Sequence, residues 1–216
     1  MTERSTPASP PVAEIRPITR SHHGDDFVDD YEWLRDKEDP ATLGYLEAEN
    51  AYTDAVAAHL EPLRQQIFDE IKARTLETDL SVPVRRGAWW YYSRTVEGQQ
   101  YSIQCRCPIR DVDDWNPPIL AAGTDVDGEQ VLLDSNVEAE GHEFFSLGAF
   151  SVSDDGNLLA WSVYTQGDER YTIRIKDLRT GELLPDEIRA TSGGATWSAG
   201  ATHLFYTTGD AAWRPY

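Results

Sequence analysis

Two stretches decide the fold: "RRGAWWYYSRTVEGQQYSIQCR" (Arg85–Arg106) and "DDGNLLAWSVYTQGDERYTIRIK" (Asp154–Lys176). Laid over each other, Gly87 matches Gly156, Trp90 matches Leu159, Tyr92 matches Trp161 and Ser93 matches Ser162. After a one-residue slip, Tyr101, Ile103 and Arg106 match Tyr171, Ile173 and Lys176. A third copy follows, "WSAGATHLFYTT" (Trp197–Thr208) against "VSDDGNLLAWSV" (Val152–Val163), so that Leu159 matches Leu204 and Trp161 matches Tyr206. Each copy is strand, turn, strand. A recurrence of about 45 residues with inserts is the signature of β-propeller blades. The longer first interval holds the insert "RDVDDWNPPILAAGTDVDGE" (Arg110–Glu129). The competing architecture is a β-sandwich whose strands are alike by chance.

Strands are expected at Ala88–Arg94, Tyr101–Cys107, Gln130–Asp134, Phe144–Val152, Leu158–Val163, Tyr171–Asp177, Ala195–Ser198 and His203–Thr207. No helix is expected beyond about Leu80. Upstream the period is helical. Asp39-Pro40 is a helix start, with Asp as N-cap and Pro in the first turn. Tyr45, Ala48, Tyr52, Ala55, Val56 and Leu60 then form a stripe at spacings of three and four. Pro62 restarts the pattern, and Leu63, Ile67 and Ile71 carry a second helix to about Arg74. A short helix is also expected within Asp30–Asp36. The reading is a flexible tail at 1–19, a helical segment at 20–76 and an incomplete propeller of about three blades at 77–216. Two helices make a thin core and an arc of blades leaves large aromatic faces bare, so both parts are expected to lack a packing surface.

With 40% hydrophobic residues the chain is globular in composition. A net charge of −19 argues against nucleic acid as a partner and is compatible with cationic ligands. Cys105 and Cys107 are too close for an ordinary disulfide and too few for zinc, and read as free thiols in a reducing, cytoplasmic compartment. There is no apolar leader segment and no run long enough to span a membrane.

The residues offer no active site. Ser198 in "TWSAG" lacks the first glycine of a nucleophile elbow, and the repeat already explains it opposite Ser153. His22, His23, His59, His142 and His203 have no convincing nucleophile beside them. The "HHGDD" cluster with Asp29 and Asp30 has no ligand spacing that favours a metal. Asp154-Asp155 belongs to a turn. Catalytic, cofactor-binding and metal residues are therefore all expected to be none, and no cofactor is implied.

Four stretches carry a resemblance: "HHGDDFVDDYEWLRD" (His22–Asp36), "LEAENAYTDA" (Leu46–Ala55), "EAEGHEFFSLGAFSVSDDGNLLAWSVYTQGDERYTIRIKDLRTGE" (Glu138–Glu182) and "FYTTGDAAWRPY" (Phe205–Tyr216). Together they resemble oligopeptidase B of the prolyl oligopeptidase family of serine peptidases. The resemblance implies an amino-terminal helical segment, a seven-bladed propeller that restricts entry to short peptides, and a carboxy-terminal α/β-hydrolase domain with the Ser, Asp and His triad. No residue here matches a triad position. The chain, ending in aromatics at Trp213 and Tyr216, reads as the front of such an enzyme, inactive alone, whose complete form would cleave short peptides after Arg or Lys. Peptides with basic residues would be partners only through the missing hydrolase domain. The alternatives are a stand-alone binding module, closed by a partner or by self-association through exposed blade edges, and the front of a post-proline peptidase.

Overall fold

The computed structural model describes residues 9–113, 115–210 and 214–215. Trp213 and Tyr216 lie outside the described residues. The chain divides into two compact units, Met1–Thr75 and Leu76–Tyr216.

The first unit opens with a hairpin of β1 (Ile18–His22) and β2 (Asp25–Asp29). His23 and Gly24 turn it with φ of 53° and 84°, the paired positive φ of a tight hairpin turn. Neither strand was expected: the segment is acidic, and its turn pair is not one of the usual signals. The expected tail therefore ends before residue 19. Within the described part of that tail, Trp33 Nε1 donates to the Glu14 carbonyl at 2.9 Å and the Arg16 guanidinium lies 4.4 Å over the Trp33 ring. The expected short helix is a 3-10 turn at Glu32–Arg35. Asp39 caps α1 (Pro40–Ala57), its carboxylate accepting from Ala41 N at 2.8 Å. A 3-10 turn at Ala58–Leu60 leads into α2 (Glu61–Arg74), with Pro62 in its first turn. Among the described residues of this unit no large hydrophobic is buried. Leu63, Ile67, Phe68 and Ile71 of α2 are all about half exposed or more. The helices carry an apolar stripe that this unit itself does not cover.

The second unit is two antiparallel sheets. The first runs in sequence order through β3 (Val84–Arg86), β4 (Trp89–Arg94), β5 (Ile103–Pro108) and β6 (Gln130–Asp134). A single helical turn, α3 (Ser135–Glu138), follows, capped by Asp134; no helix was expected here, because one turn is too short to show a period. The second sheet is β7 (Ser146–Val152), β8 (Leu158–Tyr164), β9 (Tyr171–Asp177), β10 (Leu183–Trp197) and β11 (Leu204–Thr208). β10 is far longer than the expected Ala195–Ser198. Its first part pairs with β9 from Leu183 to Thr191, and its last part pairs with β11 at Ala195–Trp197. Register shifts and the positive φ of Ala190 and Gly193 bend it between the two. One strand thus ends a four-stranded blade and begins the next. The chain forms two blades and the first hairpin of a third, which is a partial propeller.

The ladders test the repeat. Val152 pairs with Leu159 and Trp197 with Leu204, so the interval of 45 holds. Trp90 pairs with Cys107 and Leu159 with Lys176, so a single offset of 69 serves both strands and the slip is corrected. Cys107, not Arg106, is the counterpart of Lys176. Matching Tyr101, Ile103 and Arg106 to Tyr171, Ile173 and Lys176 moved the register by one residue, which exchanges the two faces of a strand.

The main core lies between the sheets, where Leu132 and Leu133 meet Val152, Leu159, Trp161 and Val163. Two cations staple this seam from opposite sides. Arg106, 3% exposed, donates to the Gly156 carbonyl at 2.6 Å and to Gln130 Oε1 at 2.8 Å, with its guanidinium 4.0 Å over Trp89. Lys176 Nζ donates back to the Leu132 carbonyl at 2.9 Å. Burial lowers the Lys176 pKa.

Candidate functional site

The residues weighed from the sequence are placed in turns and caps. Ser198 Oγ accepts from His203 N at 3.0 Å, and Ser198 N donates to the His203 carbonyl at 2.9 Å. Ser153 holds Leu158 in the same way one repeat earlier, its Oγ accepting from Leu158 N at 2.9 Å. His203 Nδ1 lies 3.0 Å from Thr202 Oγ1. These contacts close the loops between β10 and β11 and between β7 and β8. His22 and His23 stack edge to face in the first hairpin, with centroids 4.1 Å apart. His59 Nδ1 lies 3.0 Å from the Val56 carbonyl. Asp154 pairs with Arg86 across the sheets at 2.9 Å. Asp155 holds Ser153 and Asn157, and the Ser153 hydroxyl leads in keeping its carboxyl below the usual range. Among the described residues no group of three or more His, Cys, Asp or Glu is arranged to hold a metal ion. No helix among them is long and apolar enough to cross a membrane.

What the structure does bring together lies on the face of the first sheet turned away from the second. Alternation along β4 sends Trp90 and Tyr92 there, and alternation along β5 sends Ile103, Cys105 and Cys107 to meet them. Blade faces at the ends of a partial arc were expected to be bare. This one is not: Trp90 is 7% exposed and Tyr92 4%. The connection from β5 to β6 folds back over it, laying Ile109, Leu120 and Val126 on the sheet beside Leu80 and Val96. The insert is thus a cover. Exposed aromatics lie elsewhere, among them Trp115 of the insert at 73% and, on β11, Phe205 and Tyr206 at 64% and 45%.

The cover is incomplete, and a cavity of about 470 Å³ remains beneath it. Its floor is Trp90 and Cys107, its apolar walls include Ile109, Leu120 and Val126, and Asp111, Asp125, Asp127 and Arg110 line it as well. Arg110 is committed to Asp127 at 2.7 Å. Asp111 Oδ1 accepts from Asp113 N at 2.9 Å. Elsewhere on the same sheet Tyr92 donates to Glu129 Oε2 at 2.5 Å, and Arg94 Nη2 reaches Glu129 Oε1 at 3.1 Å. Burial, then the Glu129 carboxylate, pushes the Cys105 thiol up to about 11 and raises Cys107 as well. Both cysteines are free. The same causes raise the Tyr92 phenol. Neither thiol is a poised nucleophile, since nucleophilic thiols need a lowered pKa.

Sequence reading noticed the insert only as a gap in the repeat. Its turn-rich, acidic wording hides the three apolar residues that dock it, and Glu129 sits 37 residues from Tyr92.

Residues 10–216 match the model of the prolyl oligopeptidase N-terminal β-propeller domain. Dipeptidyl aminopeptidase BI of Pseudoxanthomonas mexicana is 42% identical over 207 residues, which is 94% of this chain and 29% of that protein. Protease 2 of Moraxella lacunata is 34% identical over 95% of the chain and 29% of its own length. Among solved structures, oligopeptidase B from Leishmania major superposes with a TM-score of 0.82 at 30% identity, covering 96% of this chain and 30% of that one. The chain therefore spans about three tenths of the relatives it matches. By the length of the family match and by its two sheets, this chain belongs to the N-terminal β-propeller domain family of the prolyl oligopeptidases.

Proposed function

We propose that these residues are the amino-terminal and propeller portion of an oligopeptidase B-like serine peptidase that hydrolyses short peptides after Arg or Lys. The observation that carries the reading is the superposition on oligopeptidase B over 96% of the chain. In this reading the propeller limits which peptides reach the reacting groups. A hydrolase domain outside these residues supplies the chemistry. A serine attacks the scissile carbonyl, a histidine takes its proton and later protonates the leaving amine, and an aspartate orients the histidine. Backbone amides hold the oxyanion. This chain contributes none of those groups, so alone it is inactive. The test is hydrolysis of a fluorogenic Arg-Arg peptide. The 216-residue chain is expected to give none, and a chain carrying the hydrolase domain is expected to give turnover that a serine-directed phosphonate blocks. Phosphonate-sensitive turnover by the 216 residues overturns the reading.

A second reading rests on the relative at 42% identity, which is named a dipeptidyl aminopeptidase. On it, the complete enzyme removes dipeptides from free amino termini. Paired substrates separate the two: acetylation of the amino terminus leaves an endopeptidase active and silences a dipeptidyl aminopeptidase.

A further inference from the structure

We propose that residues 118–122 of the insert are a movable rib, which swings away from the first sheet and opens the cavity beneath it while both sheets stay folded. The rib has a void on each side. Pro118, Ile119 and Leu120 line the cavity of about 470 Å³, and the same three residues line a groove of about 320 Å³ walled by Leu80, Val82 and Pro83. Close packing is what holds a segment still, and the rib lacks it on both flanks. Of its five residues it is Leu120 that docks on the apolar cluster of β4 and β5. Ile119 is fully exposed. The rib's hydrogen bonds stay within its own turn, where the Ala121 carbonyl accepts from Thr124 N at 3.2 Å and from Thr124 Oγ1 at 2.7 Å. The rest of the insert is fixed. Arg85 of β3 donates to the Val112 carbonyl at 2.8 Å and lays its guanidinium 3.9 Å over the Trp115 ring. Beyond the rib, Arg110 pairs with Asp127, and Glu129 receives Tyr92 and Arg94. Gly123, at φ 75°, joins the rib to that side with a backbone freedom other residues lack. A segment with few buried contacts between two fixed ends opens at a free energy below that of global unfolding.

The rib does not depend on the peptidase reading, and its reporters are the two thiols. Cys107 lines the cavity; Cys105 lies on the same face of β5, two residues away and outside the lining. The 216-residue chain is labelled with N-ethylmaleimide at several urea concentrations below its unfolding transition. Trypsin cuts between the cysteines at Arg106, so mass spectrometry reads each thiol by itself. Both are expected to label slowly, Cys107 at least tenfold faster than Cys105. The Cys107 rate should be nearly flat in urea, as a local opening is, and the Cys105 rate should climb as global unfolding does. Two variants test the route. Ala122 lines the groove and not the cavity, so Ala122→Trp fills the space into which the rib swings and should slow Cys107 at least fivefold. Leu120→Ala removes the docked side chain and should speed Cys107 at least fivefold. An unchanged Cys105 rate shows that the blade remains folded in each; if Leu120→Ala raises it, Ala122→Trp decides. Equal rates for the two thiols with the same urea dependence mean that the cavity opens only when the whole unit unfolds, and overturn the proposal. A faster Cys107 that is indifferent to Ala122→Trp means that the reagent enters a standing cavity, and overturns it as well.

Discussion

Ser162→Ala is expected to cost this chain far more than a surface serine would. Ser162 is fully buried. Its hydroxyl donates to the Gly193 carbonyl at 2.6 Å and accepts from Ala149 N at 2.7 Å. Both backbone groups sit where a ladder slips: Ala149 between Leu147 and Phe150 in β7, and Gly193 between Thr191 and Ala195 in β10. One hydroxyl therefore ties the second blade to the first strand of the third. Alanine leaves a buried donor and a buried acceptor unmet, each at about 1–3 kcal/mol, and the joint cost is about 2–4 kcal/mol if the site relaxes in part. For a chain of this length that lowers the melting temperature by roughly 4–16 °C. The internal control is Ser93→Ala, because Ser93 holds the same repeat position in β4 and its hydroxyl makes no hydrogen bond among the described residues. It should stay within about 0.5 kcal/mol of the parent. Urea unfolding followed by circular dichroism gives both numbers. If the two variants lose equal stability, or Ser162→Ala loses under about 0.5 kcal/mol, the bridging argument is wrong.

Three further outcomes follow from the same geometry. Gly148→Ala should destabilise by about 1–3 kcal/mol in the same unfolding experiment, because a Cβ there would lie 2.5 Å from Tyr171 Cε1 and 2.6 Å from Ser162 Oγ. Cys105 and Cys107, held protonated by burial, should resist iodoacetamide at pH 8 in the folded chain and react in urea, which peptide mass mapping would read. The Asp177 carboxyl is brought down to about 2 chiefly by its hydrogen bonds from Arg179; its contribution is fully present above the unfolded value of 3.8 and lost as the pH falls through about 2, so Asp177→Asn should flatten the acid limb of a stability profile between those values.

What was legible in the sequence was what is local and periodic. Asp39-Pro40 announced α1 because an N-cap needs only neighbouring residues. The blades showed themselves because the same apolar strand position recurs at a fixed interval, as Leu159 and Leu204 do at the starts of the second strands. The β1–β2 hairpin was not legible, since its acidic strands show no alternation and its turn uses His-Gly. The length of β10 was hidden because the bend at Ala190–Gly193 is made of residues that read as a break. The cavity was least legible of all. It depends on Ile109, Leu120 and Val126 returning to a face set by β4 and β5, and no pattern within the insert states which face it will cover.

The register correction changes how the blades hold together. With Arg106 and Lys176 taken as equivalents, both would point the same way along the arc. With the offset held at 69 they point at each other's sheet, Arg106 forward to the Gly156 carbonyl and Lys176 back to the Leu132 carbonyl. Both cations end on backbone oxygens of the neighbouring blade with an indole beside them, Trp89 for Arg106 and Trp161 for Lys176. Both contacts end on backbone that is fixed within the neighbouring sheet, so they tie the placement of one sheet to that of the other. On the first sheet the positions equivalent to Lys176 and Arg174 are Cys107 and Cys105, small and uncharged. No cation reaches outward from them, and the folded-back insert packs its apolar residues against the cluster that holds Trp90 and Tyr92. The thiol at this strand position, where the second sheet carries an ammonium, lies in the lining of the cavity that the cover leaves behind.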